Sequence, residues 1–313
     1  MKELQTGVVI RSGGASYIVE DADGSPVRCW TGPGTVSDNE GTSLVAVGDR
    51  VTFNPKPSGT DVAEGVITHV EERTSALIRR RDIRRNRSKE KAQVIAANID
   101  QLVVVTSAAD PPFNRRLIDR YLVFAESEHL PVLIVVNKTD LDHAGLLENE
   151  LATYRKLGCR ICLVSASRKR NLEELTELLS DQVSAFSGHS GVGKSTLINR
   201  LIGRRELKTA QTSSRTGRGV HTTSSSLMIR LPEGGYVIDT PGIREFNLSG
   251  ITKENLRFYF KEFLSFMPDC SYSSCSHTVE PGCAVKRAVE TGEIDPERYE
   301  SYLALLNSIE AEE

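Results

Sequence analysis

The sequence Gly188-His189-Ser190-Gly191-Val192-Gly193-Lys194-Ser195 lies between an apolar segment, residues 183–186, and an amphipathic segment, residues 197–202. Its spacing, G-x-x-x-x-G-K-[ST], is that of a phosphate-binding loop, in which glycines let successive backbone N–H groups point at one anion while the following helix adds its positive end. We expect Lys194 to reach the β- and γ-phosphates and Ser195 to bind Mg²⁺, with Thr196 completing the set. The stretch therefore predicts a strand, a phosphate loop and a helix that bind a nucleoside triphosphate.

The length and composition bound the remaining possibilities. A chain of 313 residues exceeds what one hydrophobic core usually serves, so two or three domains are expected. The longest apolar run, residues 130–136, is too short to span a bilayer, and we expect a soluble, cytoplasmic protein with no membrane partner. Six cysteines in such a compartment are better interpreted as metal ligands than as disulfides. The net charge of −3 requires any nucleic-acid site to be local.

Residues 1–72 carry five short apolar segments separated by turns rich in glycine, serine, proline and aspartate. This pattern predicts a small all-β barrel, because no helical periodicity lies between the segments. We favour the OB fold, whose exposed face often binds oligonucleotides, over the alternative of an SH3-like barrel.

A basic run follows at residues 79–91, within the segment 73–93 that we interpret as a linker. It contains eight cations and two acids in a chain whose overall charge is negative. An arginine-rich, single-signed run beside a possible OB barrel favours contact with a nucleic-acid phosphate backbone. The alternative is a solvated linker.

From residue 94 strands alternate with helices, which is typical of a mainly parallel sheet covered on both faces. Asn137-Lys138-Thr139-Asp140 follows directly after the apolar residues 131–136, at the strand end where such sheets bind ligands. A carboxylate at Asp140 can accept hydrogen bonds from both N1–H and N2–H₂ of guanine, whereas adenine would present an acceptor at N1. The motif therefore selects guanine.

The next strand, residues 160–164, ends in Ser165-Ala166. In guanine-nucleotide proteins a Ser-Ala pair at this place offers a backbone N–H to the base O6. Cys159 and Cys162 form a C-x-x-C pair, but residues three apart on a strand face opposite sides. We interpret both cysteines as core residues.

After the phosphate loop and its helix, residues 204–224 lose all apolar periodicity, and we expect a mobile loop in which Thr222 meets Mg²⁺ and the γ-phosphate. Two strands follow and deliver Asp239-Thr240-Pro241-Gly242. Asp239 suits the carboxylate that holds Mg²⁺ through water, and the Gly242 N–H suits the γ-phosphate.

Residues 251–313 contain a candidate metal centre. An amphipathic helix is predicted by the apolar positions 256, 259, 260 and 263. Cys270, Cys275, His277 and Cys283 then supply three thiolates and an imidazole, which favour a closed, tetrahedral and structural Zn²⁺ site. The alternative is a set of buried, metal-free cysteines. Asp295-Pro296 begins a last helix that packs back on this module.

The guanine-nucleotide motifs occur in a rotated order, because the base-reading residues 137–140 and 165–166 precede the phosphate loop. The chain resembles the ribosome small subunit-dependent GTPase A (RsgA) family of circularly permuted GTPases over nearly its whole length. The matching stretches are residues 93–101, residues 118–122, His221-Thr222-Thr223 and the cysteine cluster.

The resemblance implies a multidomain fold: an all-β OB barrel at residues 1–72, a basic linker at 73–93, a circularly permuted α/β phosphate-loop GTPase domain at 94–250, and a mostly helical zinc domain at 251–313. It also implies GTP hydrolysis to GDP, stimulated by the small ribosomal subunit, and a role in maturing that subunit. Contact with ribosomal RNA is expected through the OB and zinc domains. We expect a monomer.

Ile243 stands where many GTPases place the glutamine that orients the attacking water, so intrinsic hydrolysis is expected to be slow. The nearest substitute is His221, to which the resemblance also points, and Lys194 and Thr222 complete the expected catalytic set. The alternative is that His221 is a polar loop residue with no chemical role.

Two other function classes are compatible with parts of the sequence. One is an RNA-binding assembly protein in which GTP is only a structural or regulatory ligand. The other is a small-molecule kinase of the phosphate-loop type, which the guanine-reading Asp140 argues against.

Overall fold

The computed structural model describes residues 4–57, 63–79, 92–142, 145–204, 207, 226–239 and 250–312. The strands of this part are β1 (Gln5–Ser12), β2 (Tyr17–Asp21), β3 (Pro26–Ser37), β4 (Arg50–Lys56), β5 (Ala63–Val70), β6 (Ala76–Arg79), β7 (Gln93–Ala97), β8 (Gln101–Ser107), β9 (Val132–Asn137), β10 (Arg160–Leu163), β11 (Val183–Gly188), β12 (Leu227–Arg230) and β13 (Tyr236–Asp239). The α-helices are α1 (Arg115–Ser127), α2 (Leu147–Lys156), α3 (Leu172–Leu179), α4 (Lys194–Leu201), α5 (Lys261–Leu264), α6 (Ala284–Glu290) and α7 (Pro296–Glu312). None of these helices is both long and apolar enough to cross a bilayer.

The first five strands close into a barrel in the order β1-β2-β3-β5-β4, with β4 pairing back to β1. Only the β3–β5 pair is parallel among these neighbours, which is the OB arrangement. Alternate residues point inward, as a period of two requires, and the interior is apolar. Val9, Val19, Cys29, Phe53 and Ile67 are all fully buried there. The OB prediction is confirmed over the SH3-like alternative.

The nucleotide-binding sheet has the order β10-β9-β8-β11-β13-β12, and its strands are parallel except for β12. Successive residues of β9 enter two different cores: Ile134 and Val136 pack with α1 and α2, whereas Leu133 and Val135 pack with α3 and α4. Every residue of β8 is buried. Helices therefore cover both faces, as the sequence predicted, and the carboxyl ends of β9, β11 and β13 meet at one edge.

The barrel and the nucleotide-binding sheet are joined through their edges. β1 pairs antiparallel with β12, with Arg11 opposite Leu227, so that eleven strands form one sheet. The Tyr236 hydroxyl donates a hydrogen bond to Glu20 Oε1 at 2.5 Å beside this junction. Sequence analysis did not predict this pairing.

The segment predicted as a linker begins with ordered structure. β6 pairs antiparallel with β7, and Leu77 of β6 is fully buried. The Arg73 guanidinium is buried against the Asp49 carboxylate, with Nε 2.7 Å from Oδ1 and Nη2 2.8 Å from Oδ2. Arg73 therefore anchors this segment to the barrel. The basic residues 80–91 lie outside the described residues.

An asparagine precedes both α1 and α3, but the two side chains have different roles. Asn114 caps α1, because its Oδ1 accepts the Leu117 N–H at 3.0 Å. Asn171 precedes α3, but its backbone is left-handed (φ 54°) and its side chain donates to the Leu163 carbonyl instead. Asn171 therefore fixes the end of β10 and does not cap the helix.

The C-terminal module departs from one expectation. The predicted single amphipathic helix is wrong, because a 3-10 turn (Leu256–Tyr259) and α5 are separated by Phe260 in an extended conformation (φ −99°, ψ 90°). Leu256, Phe260 and Phe263 are nevertheless all fully buried. The last helix begins where predicted, and Asp295 Oδ1 accepts the Glu297 N–H at 2.8 Å.

Candidate nucleotide site and cysteine-histidine centre

The phosphate loop connects β11 to α4, and its shape depends on two glycines. Gly188 has φ 152°, and an added Cβ would lie 2.1 Å from the Val105 carbonyl oxygen. Gly193 has φ 91°, and an added Cβ would lie 2.4 Å from Asn137 Nδ2. Larger residues are excluded at both ends, so the backbone can follow the tight path that a phosphate requires.

The remaining loop residues are arranged around this path. Val192 is buried, whereas Lys194, Ser195 and Thr196 at the start of α4 are partly exposed. The exposed residues at the outer turn are His189, Ser190 and Gly191. The loop therefore presents backbone and a helix N-terminus to solvent at the carboxyl edge of the sheet.

Asn137 joins the base side of the site to the phosphate side. It ends β9 and is 2% exposed. Its Nδ2 donates to the Val192 carbonyl at 2.9 Å, and its Oδ1 accepts the Ala166 N–H at 3.0 Å. One amide therefore holds the phosphate loop and the turn after β10 at a fixed separation.

The neighbours of Asn137 are held in the same way. Lys138 is left-handed (φ 59°), and its ammonium donates to the Asp110 carbonyl. The Thr139 hydroxyl donates to the Val164 carbonyl at 3.0 Å. The turn after β9 is thus tied to the segments after β8 and β10.

Asp140 is oriented by the serine of the Ser-Ala pair. The Ser165 hydroxyl donates to Asp140 Oδ1 at 2.5 Å, and Ser167 Oγ lies 3.4 Å from the same carboxylate. These hydrogen bonds, that from Ser165 first, and the charge of Arg168 lower the pKa of Asp140. The group is therefore an ionised acceptor at neutral pH, the state that recognition of guanine N1–H and N2–H₂ requires.

The backbone N–H groups of Ser165 and Ala166 have acceptors within the protein. Ser165 N–H donates to the Arg170 carbonyl at 3.2 Å, and Ala166 N–H donates to Asn137. In this structure the pair orients Asp140 and Asn137.

Lys194, at the start of α4, meets Asp239, at the end of β13, which is the strand beside β11. Lys194 Nζ lies 3.0 Å from Asp239 Oδ1, and both side chains are largely buried. Within the described part of the chain, Asp239 Oδ1 has no partner aligned as a hydrogen bond. A buried carboxylate oxygen with unused acceptor capacity beside a phosphate loop fits a role toward a hydrated Mg²⁺ ion.

Four predicted residues of the site lie outside the described residues: His221, Thr222, Gly242 and Ile243. Their expected roles at the γ-phosphate therefore stay predictions.

Cys270, Cys275, His277 and Cys283 form a cluster whose ligand atoms all lie within 4.8 Å of one another. His277 Nδ1 is 3.4 Å from Cys283 Sγ and 3.7 Å from Cys270 Sγ. With metal–ligand bonds of about 2.3 Å to sulfur and about 2.0 Å to nitrogen, a tetrahedral zinc site separates sulfur from nitrogen by about 3.5 Å. The observed spacing fits such a site.

Ionisation at the cluster also fits a metal. Burial, with the charge of Arg257, lowers the pKa of His277 to about 4, so the imidazole is neutral and able to ligate. Burial raises the pKa of Cys275 to about 12. A thiolate at this place therefore needs a neighbouring cation, and a bound divalent ion supplies one.

Aromatic residues of α7 hold the cluster in place. The Tyr299 hydroxyl donates to the His277 carbonyl and the Tyr302 hydroxyl to the Ser276 carbonyl, both at 2.6 Å. The Phe263 ring meets the His277 ring edge to face at 5.8 Å. The sequence predicted that α7 packs back on this module, but these hydrogen bonds were not predicted.

An ion pair buried between α1 and α7 was also missed. Arg298 Nη1 is 2.7 Å from Asp119 Oδ1, and the two side chains are 3% and 1% exposed. Arg298 Nε also donates to Glu262 Oε1 at 2.7 Å, and the guanidinium lies 4.5 Å from the centre of the Phe260 ring. The available signal was an arginine within the apolar positions of the last helix.

The fold and the site define a phosphate-loop GTPase whose base-reading motif precedes the phosphate loop, that is, a circularly permuted GTPase. The family model described as RsgA GTPase matches residues 70–249. The chain belongs to the RsgA GTPase family.

Relatives and solved structures are similar to this chain over nearly its whole length. The small ribosomal subunit biogenesis GTPase RsgA of Chlorobaculum tepidum is 72% identical over 309 residues, covering 99% of each chain. The crystal structure of YjeQ from Thermotoga maritima is 31% identical, with a TM-score of 0.75 over 98% of this chain and 99% of that one. The structure of YloQ, described as a circularly permuted GTPase, is 27% identical, with a TM-score of 0.73 over 99% and 96%.

Proposed function

We propose that this GTPase acts in the assembly of the small ribosomal subunit, as a switch that holds a ribosome-bound state with GTP and leaves it on hydrolysis. The convergence of Asn137, Asp140 and the phosphate loop at one sheet edge supports the GTP site. The relative from Chlorobaculum tepidum, named for small-subunit biogenesis, supports the ribosomal role.

Asp140 recognises the guanine base. Asn137 and Lys138 support the ring of the base, and Ser165 and Ala166 orient Asp140 and Asn137. The phosphates are held by the loop and its flanks: Gly188, His189, Ser190, Gly191, Val192, Gly193, Lys194, Ser195, Thr196 and Gly242. Nucleotide binding replaces the contact between Lys194 and Asp239 with a contact between the ammonium and the phosphates, and this frees the carboxylate.

Mg²⁺ is held by Ser195, Thr222 and Asp239, where it neutralises charge on the β- and γ-phosphates. Zn²⁺ is held by Cys270, Cys275, His277 and Cys283 and is structural, because four protein ligands leave no open position. Its contribution is to fix the loop between α5 and α6.

Catalysis depends on residues of the segment before β12. Lys194 and Thr222 hold the γ-phosphate, and His221 orients the attacking water or stabilises charge on it. The small subunit stimulates turnover by bringing His221 to the γ-phosphate.

The remaining proposals concern partners and organisation. The OB barrel (residues 1–72), the basic linker (73–93) and the zinc domain (251–313) contact ribosomal RNA around the GTPase domain (94–250). The protein is a cytoplasmic monomer.

GTP turnover of the free protein and of its mixture with purified small subunits tests this function. We expect slow hydrolysis alone and a large acceleration by the subunit. Turnover that small subunits leave unchanged, together with intact RNA binding, would indicate an assembly protein in which GTP is only a structural ligand.

A further inference from the structure

Helix α1 carries two buried polar side chains that point in opposite directions. Asp119 and Tyr121 are two residues apart, which separates them by about 200° around a helix. Both are nearly fully buried, at 1% and 2% exposure. The helix is therefore held by polar contacts on two different faces.

The Tyr121 face lies under the phosphate loop. The Ser187 hydroxyl donates to the Tyr121 hydroxyl at 2.7 Å. Ser187 and Gly188 end β11 where it turns into the loop, and a Cβ added at Gly188 would lie 2.1 Å from the Val105 carbonyl oxygen. The Tyr121 phenol therefore fixes the position at which the phosphate loop begins.

The Asp119 face meets the C-terminal module. Its carboxylate accepts from Arg298 of α7 at 2.7 Å and from the Tyr154 hydroxyl of α2 at 2.9 Å. Arg298 is in turn fixed by Glu262 and by the Phe260 ring. Since these charges are excluded from water, a shift of α7 relative to α1 breaks strong contacts and is resisted.

We propose that Tyr121 is a positioning residue for nucleotide binding, and that α1 transmits the placement of the cysteine-histidine module to the phosphate loop through the Asp119–Arg298 pair. The proposal rests on the nucleotide site proposed above. It adds that the affinity of the loop for phosphate depends on a phenol that does not touch the ligand.

The first test measures the affinity of the full-length protein for a fluorescent GDP analogue, with thermal melting recorded in parallel. Tyr121→Phe keeps the ring but leaves the buried Ser187 hydroxyl without its acceptor, and we expect the Kd to rise roughly tenfold. Tyr236→Phe is the matched control, because it removes a phenol that donates to Glu20 at the amino end of β13, outside the proposed path. It should lower the melting temperature to a similar extent and leave the Kd unchanged.

Ser187→Ala provides a second variant that changes little volume, and it should raise the Kd in the same direction by a smaller factor. Lys194→Ala shows that binding occurs at the phosphate loop, and the parent must bind GDP for the proposed site to stand at all. If the parent binds, Lys194→Ala does not, and Tyr121→Phe binds as tightly as the parent, the inference is wrong while the proposed site survives.

The second test asks whether α1 transmits the placement of the cysteine-histidine module to the phosphate loop. The double variant Asp119→Asn/Arg298→Gln replaces the ion pair with two amides that can still hydrogen-bond, and we expect a Kd about threefold above that of the parent. The triple variant, which adds the same two changes to Tyr121→Phe, should have the Kd of Tyr121→Phe alone. The reason is that Tyr121→Phe already removes the contact between α1 and the phosphate loop. A double variant with the parent Kd, or a fully additive effect in the triple variant, would overturn transmission through α1.

Discussion

Gly193→Ala allows the strain inside the phosphate loop to be measured against two matched glycines. Gly191, Gly193 and Gly203 all have positive φ values, of 87°, 91° and 68°. They differ in what an added Cβ would meet: nothing at Gly203, Pro111 Cδ at 3.6 Å for Gly191, and Asn137 Nδ2 at 2.4 Å for Gly193. Alanine at any of the three positions therefore carries the cost of a left-handed backbone. Only at Gly193 would the added Cβ also collide with the Asn137 amide.

The shared cost of a left-handed alanine is about 1–2 kcal/mol. At Gly193 the amide of Asn137 must also move, and it holds the Val192 carbonyl at 2.9 Å and the Ala166 N–H at 3.0 Å. Two buried hydrogen bonds at about 1–2 kcal/mol each add about 2–4 kcal/mol. The ratio of GDP affinities between the Gly191→Ala and Gly193→Ala proteins should therefore be roughly 30 to 1,000.

Isothermal titration of GDP into the parent and the three alanine variants measures this ratio directly. Gly203→Ala should bind GDP like the parent, because it lies beyond α4. If Gly193→Ala bound GDP within threefold of Gly191→Ala, Asn137 would not link the two halves of the site in the way described.

Three further predictions concern the base, the metal and the catalytic step. In Asp140→Asn the Ser165 hydroxyl selects the amide oxygen and leaves the amide N–H₂ facing the base, so the ratio of xanthosine to guanosine triphosphate affinity should rise at least about a hundredfold; an unchanged preference would remove Asp140 from the site. Elemental analysis should find about one zinc per chain, and Cys275→Ser should melt the C-terminal module while GDP binding stays measurable; folded, metal-free parent protein would contradict the zinc site. His221→Ala should retain GTP affinity and lose roughly 30- to 1,000-fold of the subunit-stimulated rate, whereas Ser195→Ala should impair basal and stimulated hydrolysis together; a parent-like stimulated rate would exclude the histidine.

The motifs of the nucleotide site could be recognised from the sequence because their chemistry is local. Gly193 and Asp140 belong to short patterns whose residue types follow from what a phosphate or a guanine demands. The cysteine-histidine cluster was recognisable for the same reason, since ligand types and spacing carry the information. What the motifs did not contain was the way in which Asn137 links the two halves, because that link joins residues 29 and 55 positions apart.

The failures of sequence reasoning share a different cause. The buried positions 256, 260 and 263 have a helical period, but the extended backbone of Phe260 depends on the α7 side chains packed against its ring. The Asp119–Arg298 pair spans 179 positions, and no local pattern marks two ionic residues as partners. Tertiary contacts decided both features.

The pairing of β1 with β12 has a consequence for the colloidal behaviour of the protein. A nucleotide-binding sheet ending at β12 would present a row of unpaired N–H and C=O groups, which other chains can pair with. The barrel meets that edge where Arg11 of β1 pairs with Leu227 of β12, and it closes its own edge through β4, so that among the strands the structure describes β10 is left as the open edge of the eleven-stranded sheet. β10 is four residues long and begins with Arg160, features that discourage strand addition. The OB barrel therefore occupies the start of the β12 edge, and a fragment lacking β1 should expose that edge and associate more readily.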